Sequence, residues 1–503
     1  MESIRFLSAI RLAQLIREKK IGSRETVDAF IAHIERVNPT LNAVVASRFD
    51  EARREADQVD QRLRGAGAGD LPPLLGVPCT IKEAFSVVGM PNASGLLSRR
   101  HLVSTFDATA VKRLRAAGAI PLGVTNTSEL CMWMESDNRV YGRTNNPYDP
   151  NRIVGGSSGG EAAIIAAAGS PFGLGSDIGG SIRGPCFFNG IFGHKATGGL
   201  VPNSGQFPIA ENEARRFLAT GPMVKKAEDL HPLLRIIAGP DGEDGGCRSD
   251  LELGDPASVD LRGRTLLDVR GNGVQRVSDD LLEAQERAAR ALEKRGMKLK
   301  RASFRRLRHQ FDIWAAMMTR AREDPFGSML GEGRPIRPLI ELAKAAVGRS
   351  DHMPISSLIA LVDPLPGLVP GLADKVIRAG QKLRDEILSE LGDDGVLLYP
   401  TYTTPAPKHG TPVLRTLVLE LPFAHQGIFN VLEMPATQVP LGLNSAGLPL
   451  GCQVVSKPGN DHVTIAAALE LERALGGWVS PKLAEEPSAS RTASWKFSRA
   501  ASE

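Results

Sequence analysis

Residues 155–184 contain ten glycines and five serines, and this stretch restricts the possible fold more than any other. The pattern Gly-Gly-Ser occurs twice in it, at 155–157 and at 179–181. Glycine at this density predicts tight turns and close approach of the backbone to its neighbours. Residues 161–168, between the turns, are almost entirely apolar and predict a short internal helix. The stretch therefore predicts two serine-bearing turns held against a core.

Short apolar strands alternate with helices on either side of these turns. Residues 76–82 and 119–125 predict buried strands, and residues 109–117 predict a helix that stops at Gly118. Such alternation is typical of an α/β protein whose sheet is covered by helices on both faces.

Residues 262–395 have a different sequence pattern, in which long amphipathic helical segments are separated by proline-rich breaks. We interpret them as a helical cap inserted into a single domain that spans residues 1–478. The predicted parts of that domain are N-terminal helices (1–70), the core (71–261), the cap (262–395) and a C-terminal return to the sheet (396–478). Residues 479–503 lack periodicity and are predicted to be disordered.

Composition excludes several classes of protein. Sixty-one Lys and Arg residues against 57 Asp and Glu residues leave a net charge of +4, too small for a nucleic-acid-binding surface. The longest apolar run, 162–168, is far shorter than the roughly 18 residues of a membrane span. Five scattered cysteines without CxxC spacing predict neither a disulfide framework nor a metal site. We expect a cytoplasmic protein without a cofactor.

Two common functions of glycine-rich loops fit the first turn poorly. Residues 155–159 match G-x-S-x-G, the nucleophile elbow of Ser-His-Asp hydrolases, which requires a strand directly before it. The preceding residues 145–151 are turn-rich instead, and none of the nine histidines stands out as a base. A phosphate-binding loop is also disfavoured, because no G-x-x-x-x-G-K-[ST] motif is present.

The second turn is better suited to nucleophilic catalysis. Gly179 and Gly180 directly precede Ser181, so consecutive backbone N–H groups can point at one anionic oxygen. Asp177 and Arg183 flank the turn, and we expect them to brace it as an ion pair.

A serine nucleophile needs a base, and Lys82 is the candidate. It ends the apolar strand 76–82, where a charged group is poorly hydrated. Burial lowers the pKa of lysine, and a decrease of about three units from about 10.4 would allow proton transfer near neutral pH. A lysine at a strand end can also extend its ammonium group into solvent, which is the structural alternative.

These motifs together resemble the amidase signature family. The chain contains GGSSGG, GSDIGGSIR and GVPCTIKE, and Ser181 follows Ser157 by 24 residues. Further similarity lies in TNTSELCMWMESDNRVYGRTNNPYD (125–149), FFNGIFGHK (187–195) and MPATQVPLGLNSAGLPLGCQVV (434–455). Within that family the chain most resembles the fatty-acid amide hydrolases, especially the second type, over about residues 8–475. The resemblance implies a three-layer α/β/α sandwich with a large mixed central sheet and a helical cap.

The resemblance also implies a role for each motif residue. Ser181 is the implied nucleophile, Lys82 the implied base, and Ser157 a bridging serine whose peptide bond is cis. The implied oxyanion hole consists of Ile178, Gly179, Gly180 and the Ser181 N–H, and the implied substrate-binding residues are Cys131, Met132, Trp133 and Ser158.

The chain departs from the family pattern at three places, none of them in the implied triad. Glu83 stands where many members have Asp, Ser176 replaces a common Thr, and Lys195-Ala196 replaces Lys-Pro.

The predicted reaction is acyl transfer to Ser181 from a hydrophobic acyl or aryl amide, followed by hydrolysis. Esters and carbamates are chemically close substrates. The apolar character is inferred from the implied acyl-pocket residues and from the cap residues Phe311, Trp314, Met317 and Met318. Each of these could equally be an ordinary core residue.

The alternative function is that of a glutamine-dependent amidotransferase component that acts on charged tRNA and works in a complex. The near-neutral charge and the apolar cap disfavour it. We expect no N-terminal anchor of the kind that membrane-bound relatives have, and a homodimer stays open.

Overall fold

The computed structural model describes residues 3–65, 71–363, 370–417 and 421–485. The described strands, in chain order, are β1 Val44–Ser47, β2 Pro78–Lys82, β3 Ile120–Thr125, β4 Asp137–Asn138, β5 Gly142–Arg143, β6 Phe172–Asp177, β7 Phe192–Lys195, β8 Ala219–Val224, β9 Thr265–Asp268, β10 Lys298–Arg301, β11 Val396–Pro400, β12 Ala436–Leu443 and β13 Pro449–Val455. Eleven of them form one sheet in the order β1-β3-β2-β6-β8-β7-β12-β13-β11-β9-β10.

The sheet is mixed, as predicted. β2 runs parallel to both β3 and β6, whereas β6, β8, β7, β12, β13 and β11 follow one another antiparallel. Every residue of β2, β3 and β6 is buried, as expected of parallel strands covered on both faces. Because these three strands are parallel, their carboxyl ends at Lys82, Thr125 and Asp177 meet at one edge.

Helices cover both faces of the sheet. The described α-helices are α1 Ala9–Arg17, α2 Ser23–Leu41, α3 Phe49–Gly65, α4 Thr109–Ala116, α5 Gly159–Ala166, α6 Arg183–Phe188, α7 Ala214–Phe217, α8 Leu230–Ile237, α9 Asp279–Lys294, α10 Gln310–Ala321, α11 Phe326–Leu330, α12 Pro338–Ala346, α13 Pro354–Val362, α14 Pro370–Leu391, α15 Thr411–Leu417, α16 Ala424–Val431 and α17 Asp461–Leu475. Alternate residues of one strand enter opposite cores: Leu266 of β9 packs in one, and Leu267 packs in the other.

The cap begins later than the sequence predicts. Residues 265–301 form β9, α9 and β10, and both strands belong to the central sheet. Leu281, Ala284 and Ala288 of α9 are buried in the sheet core. An amphipathic helix has the same pattern whether it covers a sheet or a cap, so the pattern alone placed the boundary too early. The cap proper consists of α10–α14.

The cap packs on the rest of the protein through α10 and α14, whose side chains Ile313, Leu383 and Ile387 belong to the core beside β9 and β11, and through a smaller apolar cluster. Phe326 and Leu330 of α11 and Ala360 of α13 form a cluster with Leu96 and Leu130. No residue of α12 is buried. Among the described residues, no helix combines the length and the apolar character needed to cross a bilayer.

The predicted disordered tail is ordered at its start. Tyr148 donates a hydrogen bond to the carbonyl oxygen of Val479, and Arg5 donates one to that of Ala484. Residues 479–485 are thus attached to the body of the domain by side chains that donate to their carbonyl oxygens, which sequence periodicity does not reveal. The remainder of the prediction, residues 486–503, lies outside the described residues.

Candidate active site

Lys82 lies at the carboxyl end of β2 with its side chain fully buried. Its Nζ donates hydrogen bonds to Ser157 Oγ at 2.6 Å and to Ser176 Oγ at 2.9 Å. Burial lowers the pKa of the Lys82 ammonium, because the charged form loses its hydration. The amine is thus held between two hydroxyl groups in an environment that favours its neutral form.

Ser157 is buried in the first turn, directly before α5. The glycines beside it allow close approach of the backbone: a Cβ on Gly156 would lie 1.6 Å from the carbonyl oxygen of Trp133. Gly155 has a φ of +87° and faces Pro185. The cis peptide bond of the described residues is Phe207–Pro208, so the bond before Ser157 is trans, contrary to the family resemblance. Ser157 Oγ reaches Lys82 Nζ with this trans geometry.

Ser181 lies in the second turn, between β6 and α6, and lines a cavity of about 40 Å³ together with Gly179, Gly180 and Trp133. Its hydroxyl group forms no hydrogen bond within the described part of the chain. The structure therefore contains the Lys82–Ser157 contact but no hydrogen bond between Ser157 and Ser181. The second transfer of the predicted proton relay stays a prediction.

The predicted oxyanion hole is only partly available. The Gly180 N–H donates to Asp177 Oδ1 at 2.7 Å, so it does not point its hydrogen at a substrate. The N–H groups of Gly179 and Ser181 have no hydrogen-bond acceptor among the described residues. Ile178 is fixed through its carbonyl oxygen, which accepts a hydrogen bond from Trp314 Nε1 at 3.0 Å. The expectation that the Gly180 N–H contributes to the oxyanion hole is therefore corrected.

Asp177 and Arg183, which were expected to brace the second turn, form a fully buried ion pair at 3.0 Å. The Asp177 carboxylate also accepts the N–H of Ile182. Burial opposes ionisation of Asp177, but the Arg183 guanidinium and the hydrogen bonds keep the pKa of the carboxyl group far below its usual range. Arg183 in turn donates to Asn430 and Gln453, which ties the turn to the C-terminal part of the domain.

The predicted substrate-binding residues divide between two cavities. Cys131 and Met132 line a cavity of about 100 Å³, which we call the inner cavity. Trp133 lines the 40 Å³ cavity beside Ser181 instead. The separation arises because Leu130 and Cys131 both have positive φ angles, +50° and +59°, which turn the chain sharply.

Ser158 does not line either cavity. Its side chain is fully buried, and its hydroxyl donates to the carbonyl oxygen of Ser176 at 3.3 Å. The expectation that Ser158 binds substrate is therefore wrong for this structure: its hydroxyl is used to fix the backbone of β6.

The inner cavity reaches a hydrogen-bond partner of Lys82. Ser176 and Ile178 line it, and the cap residues Met318 and Met329 form part of its wall. Ser176 was noted only as a departure from the family pattern, yet it is the second hydrogen-bond partner of Lys82. Its position at the end of β6, parallel to β2, is the signal that could have identified it.

Glu83, noted in the sequence only as another departure from the family pattern, is fully buried. Its carboxylate accepts hydrogen bonds from the N–H groups of Ala93 and Ser94 and from the Tyr141 hydroxyl. Burial raises its pKa to about 7. Ser94 also donates to the backbone of Phe207, which lines the inner cavity. Glu83 thus anchors a loop that contacts the cavity wall.

The Ser-His-Asp alternative lacks its base. None of the nine histidines, all of which are described, forms a hydrogen bond with Ser157 or Ser181. No β-strand directly precedes Ser157 either. The described residues also contain no group of three or more His, Cys, Asp or Glu side chains arranged to hold a metal ion.

Comparison with known proteins agrees with this geometry. The family model described as Amidase matches residues 25–465. The chain belongs to the amidase family. Membership of the amidase family identifies it as a hydrolase acting on amide bonds, and it confirms the resemblance predicted from the sequence motifs.

The alignments with individual relatives extend over nearly the whole of this chain. Human fatty-acid amide hydrolase 2 is 45% identical over 95% of this chain and 91% of its own length. A glutamyl-tRNA(Gln) amidotransferase subunit of Prochlorococcus marinus is 30% identical over 92% of this chain and 96% of its own. Among solved structures, 6-aminohexanoate cyclic dimer hydrolase complexed with substrate is 26% identical, with a TM-score of 0.78 over 96% of this chain and 100% of the other.

Proposed function

We propose that this amidase hydrolyses amides of hydrophobic acyl or aryl groups through an acyl-enzyme on Ser181. The observation that carries the proposal is the buried Lys82 amine, 2.6 Å from Ser157 Oγ. A neutral amine in a dry site, in contact with a hydroxyl group, is the arrangement expected of a general base for serine.

The proposed reaction has two halves. Lys82 takes a proton from Ser157 as Ser157 takes one from Ser181, and Ser181 Oγ attacks the carbonyl carbon. The N–H groups of Gly179 and Ser181 stabilise the oxyanion. The C–N bond then breaks, and the proton on Lys82 returns through Ser157 to the leaving amine. Water repeats the sequence against the acyl-enzyme and releases the acid.

The cavities support a hydrophobic acyl group. The inner cavity has an apolar part, formed by Ala84, Leu130, Met132 and Met318, and we place the acyl group there. The leaving amine then lies in the 40 Å³ cavity, among Phe188, Tyr402 and Phe423. The similarity to fatty-acid amide hydrolase 2 favours the same class of substrate. Esters and carbamates of the same acyl groups would use the same nucleophile.

The alternative, an amidotransferase component, corresponds to a more distant relative. Glutamine would require polar partners for its carboxylate and ammonium groups next to the base. The wall of the inner cavity combines apolar side chains with Ser176, Gln206, Glu211, Arg322 and Asp324. The preference for a hydrophobic amide over glutamine therefore rests on sequence identity, which is 45% to fatty-acid amide hydrolase 2 and 30% to the amidotransferase subunit.

A panel of acyl 4-nitroanilides, with glutamine as a second substrate, tests the proposal on the isolated chain. Wild-type protein is expected to release nitroaniline and not ammonia from glutamine. Ser181→Ala is expected to lower kcat by about 10⁵-fold or more, with an unchanged melting temperature because the hydroxyl has no partner among the described residues. Glutaminase activity without anilide turnover would contradict the proposal, and so would turnover that survives Ser181→Ala.

A further inference from the structure

A short segment, residues 206–210, separates the inner cavity from a larger cleft on the surface. Gln206, Phe207, Ile209 and Ala210 line both spaces. The surface space, which we call the outer cleft, has a volume of about 570 Å³, against about 100 Å³ for the inner cavity. The segment is therefore a thin wall between a small cavity near the catalytic residues and a much larger one.

Phe207 supplies the bulk of this wall. The Gln206 side-chain amide is used by Asn203 and Thr220, Ile209 is 70% exposed, and Ala210 is small. The Phe207 ring, by contrast, packs against the apolar cluster that contains Leu130. Its removal would leave the largest opening between the two spaces.

Phe207 is also held in place from several directions. Its N–H donates to the carbonyl oxygen of Ala84 at 2.9 Å, and its own carbonyl oxygen accepts from Ser94 Oγ at 2.5 Å. The Arg99 guanidinium lies 3.7 Å from the centre of the Phe207 ring, a cation–π contact. The two hydrogen bonds hold the backbone of Phe207, and the cation–π contact holds its ring.

Part of the outer cleft is suited to a hydrocarbon chain. Four exposed apolar side chains line it, with exposed fractions from 38% to 70%, beside charged side chains. The apolar ones are Leu102, Val103, Phe106 and Ile209, and the charged ones are Arg99, Arg215, Glu243 and Asp244. Apolar groups of this size rarely cluster on a surface without function. A methylene chain that left the inner cavity at Phe207 would lie along these side chains.

We propose that Phe207 is a specificity-determining residue that sets the maximum length of the acyl group. In wild-type protein the acyl chain ends against the Phe207 ring, and longer chains are excluded from productive binding. Without the ring, the inner cavity continues into the outer cleft and accepts longer chains. This inference rests on the proposed function, because it assumes that the acyl group occupies the inner cavity.

The experiment compares kcat/KM for straight-chain acyl 4-nitroanilides from two to sixteen carbons in wild type, Phe207→Ala and Phe207→Leu. In wild type, kcat/KM is expected to increase with each added methylene up to a limiting chain length and to decrease beyond it. Phe207→Ala is expected to shift that limit to longer chains, with roughly a fourfold gain for each further methylene that becomes buried. Phe207→Leu should give a smaller shift, and it replaces Phe207→Ala if that variant fails to fold, as judged by its melting curve.

Two matched variants locate the effect. Met329→Ala enlarges the inner cavity without touching the outer cleft, and Phe106→Ala alters the outer cleft only. Neither should shift the limiting length as far as Phe207→Ala does. An unchanged limit in both Phe207 variants, or the same shift in Phe106→Ala, would overturn the inference while leaving the proposed function intact. Absence of turnover at every chain length in wild type would contradict the proposed function itself.

Discussion

The two serine-bearing turns and the cap differ in how completely their side chains are buried and hydrogen-bonded. In the turns, Ser157, Asp177 and Arg183 are buried, and each has hydrogen-bond partners from other elements. In the cap, Ile313 of α10 and Leu383 of α14 are buried, but α12 has no buried residue, and Leu339 is 67% exposed. From this comparison we expect the reaction chemistry to depend on the turns, and substrate choice to depend on the apolar side chains that line the cavities. Variants in the turns should therefore change rates for all substrates alike, and variants in cavity walls should change their ratios.

After Ser181→Ala, the largest expected effect comes from Lys82→Met, which keeps the approximate volume of the side chain and removes the amine. We expect kcat to fall by about 10²- to 10⁴-fold for every anilide, because the general base is lost. Steady-state kinetics across the panel measures this.

Lys225→Met is the matched control for that loss. Lys225 is likewise buried, and burial lowers its pKa to about 7, but its Nζ donates to the carbonyl oxygen of Ser170. Its replacement should reduce stability without the rate loss. Equal rate losses in the two variants would show that the loss follows from removing any buried lysine, and would contradict a specific role of Lys82 as the base.

A smaller effect is expected where the cap contacts a turn directly. Trp314→Phe keeps an aromatic ring but removes the Nε1 hydrogen bond to the Ile178 carbonyl oxygen. Loss of one such bond is worth about 1 kcal/mol, so kcat should fall about fivefold, equally for short and long acyl chains, in the same steady-state assay.

Phe311→Leu is the control for Trp314→Phe. Phe311 lies beside Trp314, with ring centres 6.3 Å apart, and makes no hydrogen bond to the turn. A Trp314→Phe variant that changes the chain-length ratio and leaves kcat unaltered would assign Trp314 to substrate choice rather than to the positioning of the turn.

The sequence predicted those parts of the site that depend on local pattern. A lysine at the end of an apolar strand, and serines after paired glycines, are visible without coordinates. The family resemblance implied that Lys82 acts together with the two serines. The structure explains the contact between Lys82 and Ser157, since parallel strands bring their carboxyl ends to one edge. The α/β class followed from the alternation of helices and buried strands, and the mixed sheet from the family resemblance.

Features that depend on contacts between distant segments could not be predicted in this way. The use of the Gly180 N–H by Asp177 follows from the shape of the turn, and the separation of Trp133 from Met132 follows from two successive positive φ angles. The position of α9 on the sheet has a similar cause: its apolar face is identical whichever surface it covers.

The pH dependence of Ser181 acylation tests the central claim most directly, namely that a neutral Lys82 amine activates Ser181 through Ser157. The rate at which a fluorophosphonate modifies Ser181 can be followed by intact-protein mass spectrometry in wild type and in Lys82→Met. Because burial lowers the pKa of Lys82 and the neutral form is the active one, the wild-type rate should rise with pH and level off below the ordinary lysine pKa of about 10.4. In Lys82→Met the rate should be low and lack that rise. The same rise and plateau in Lys82→Met would contradict the account.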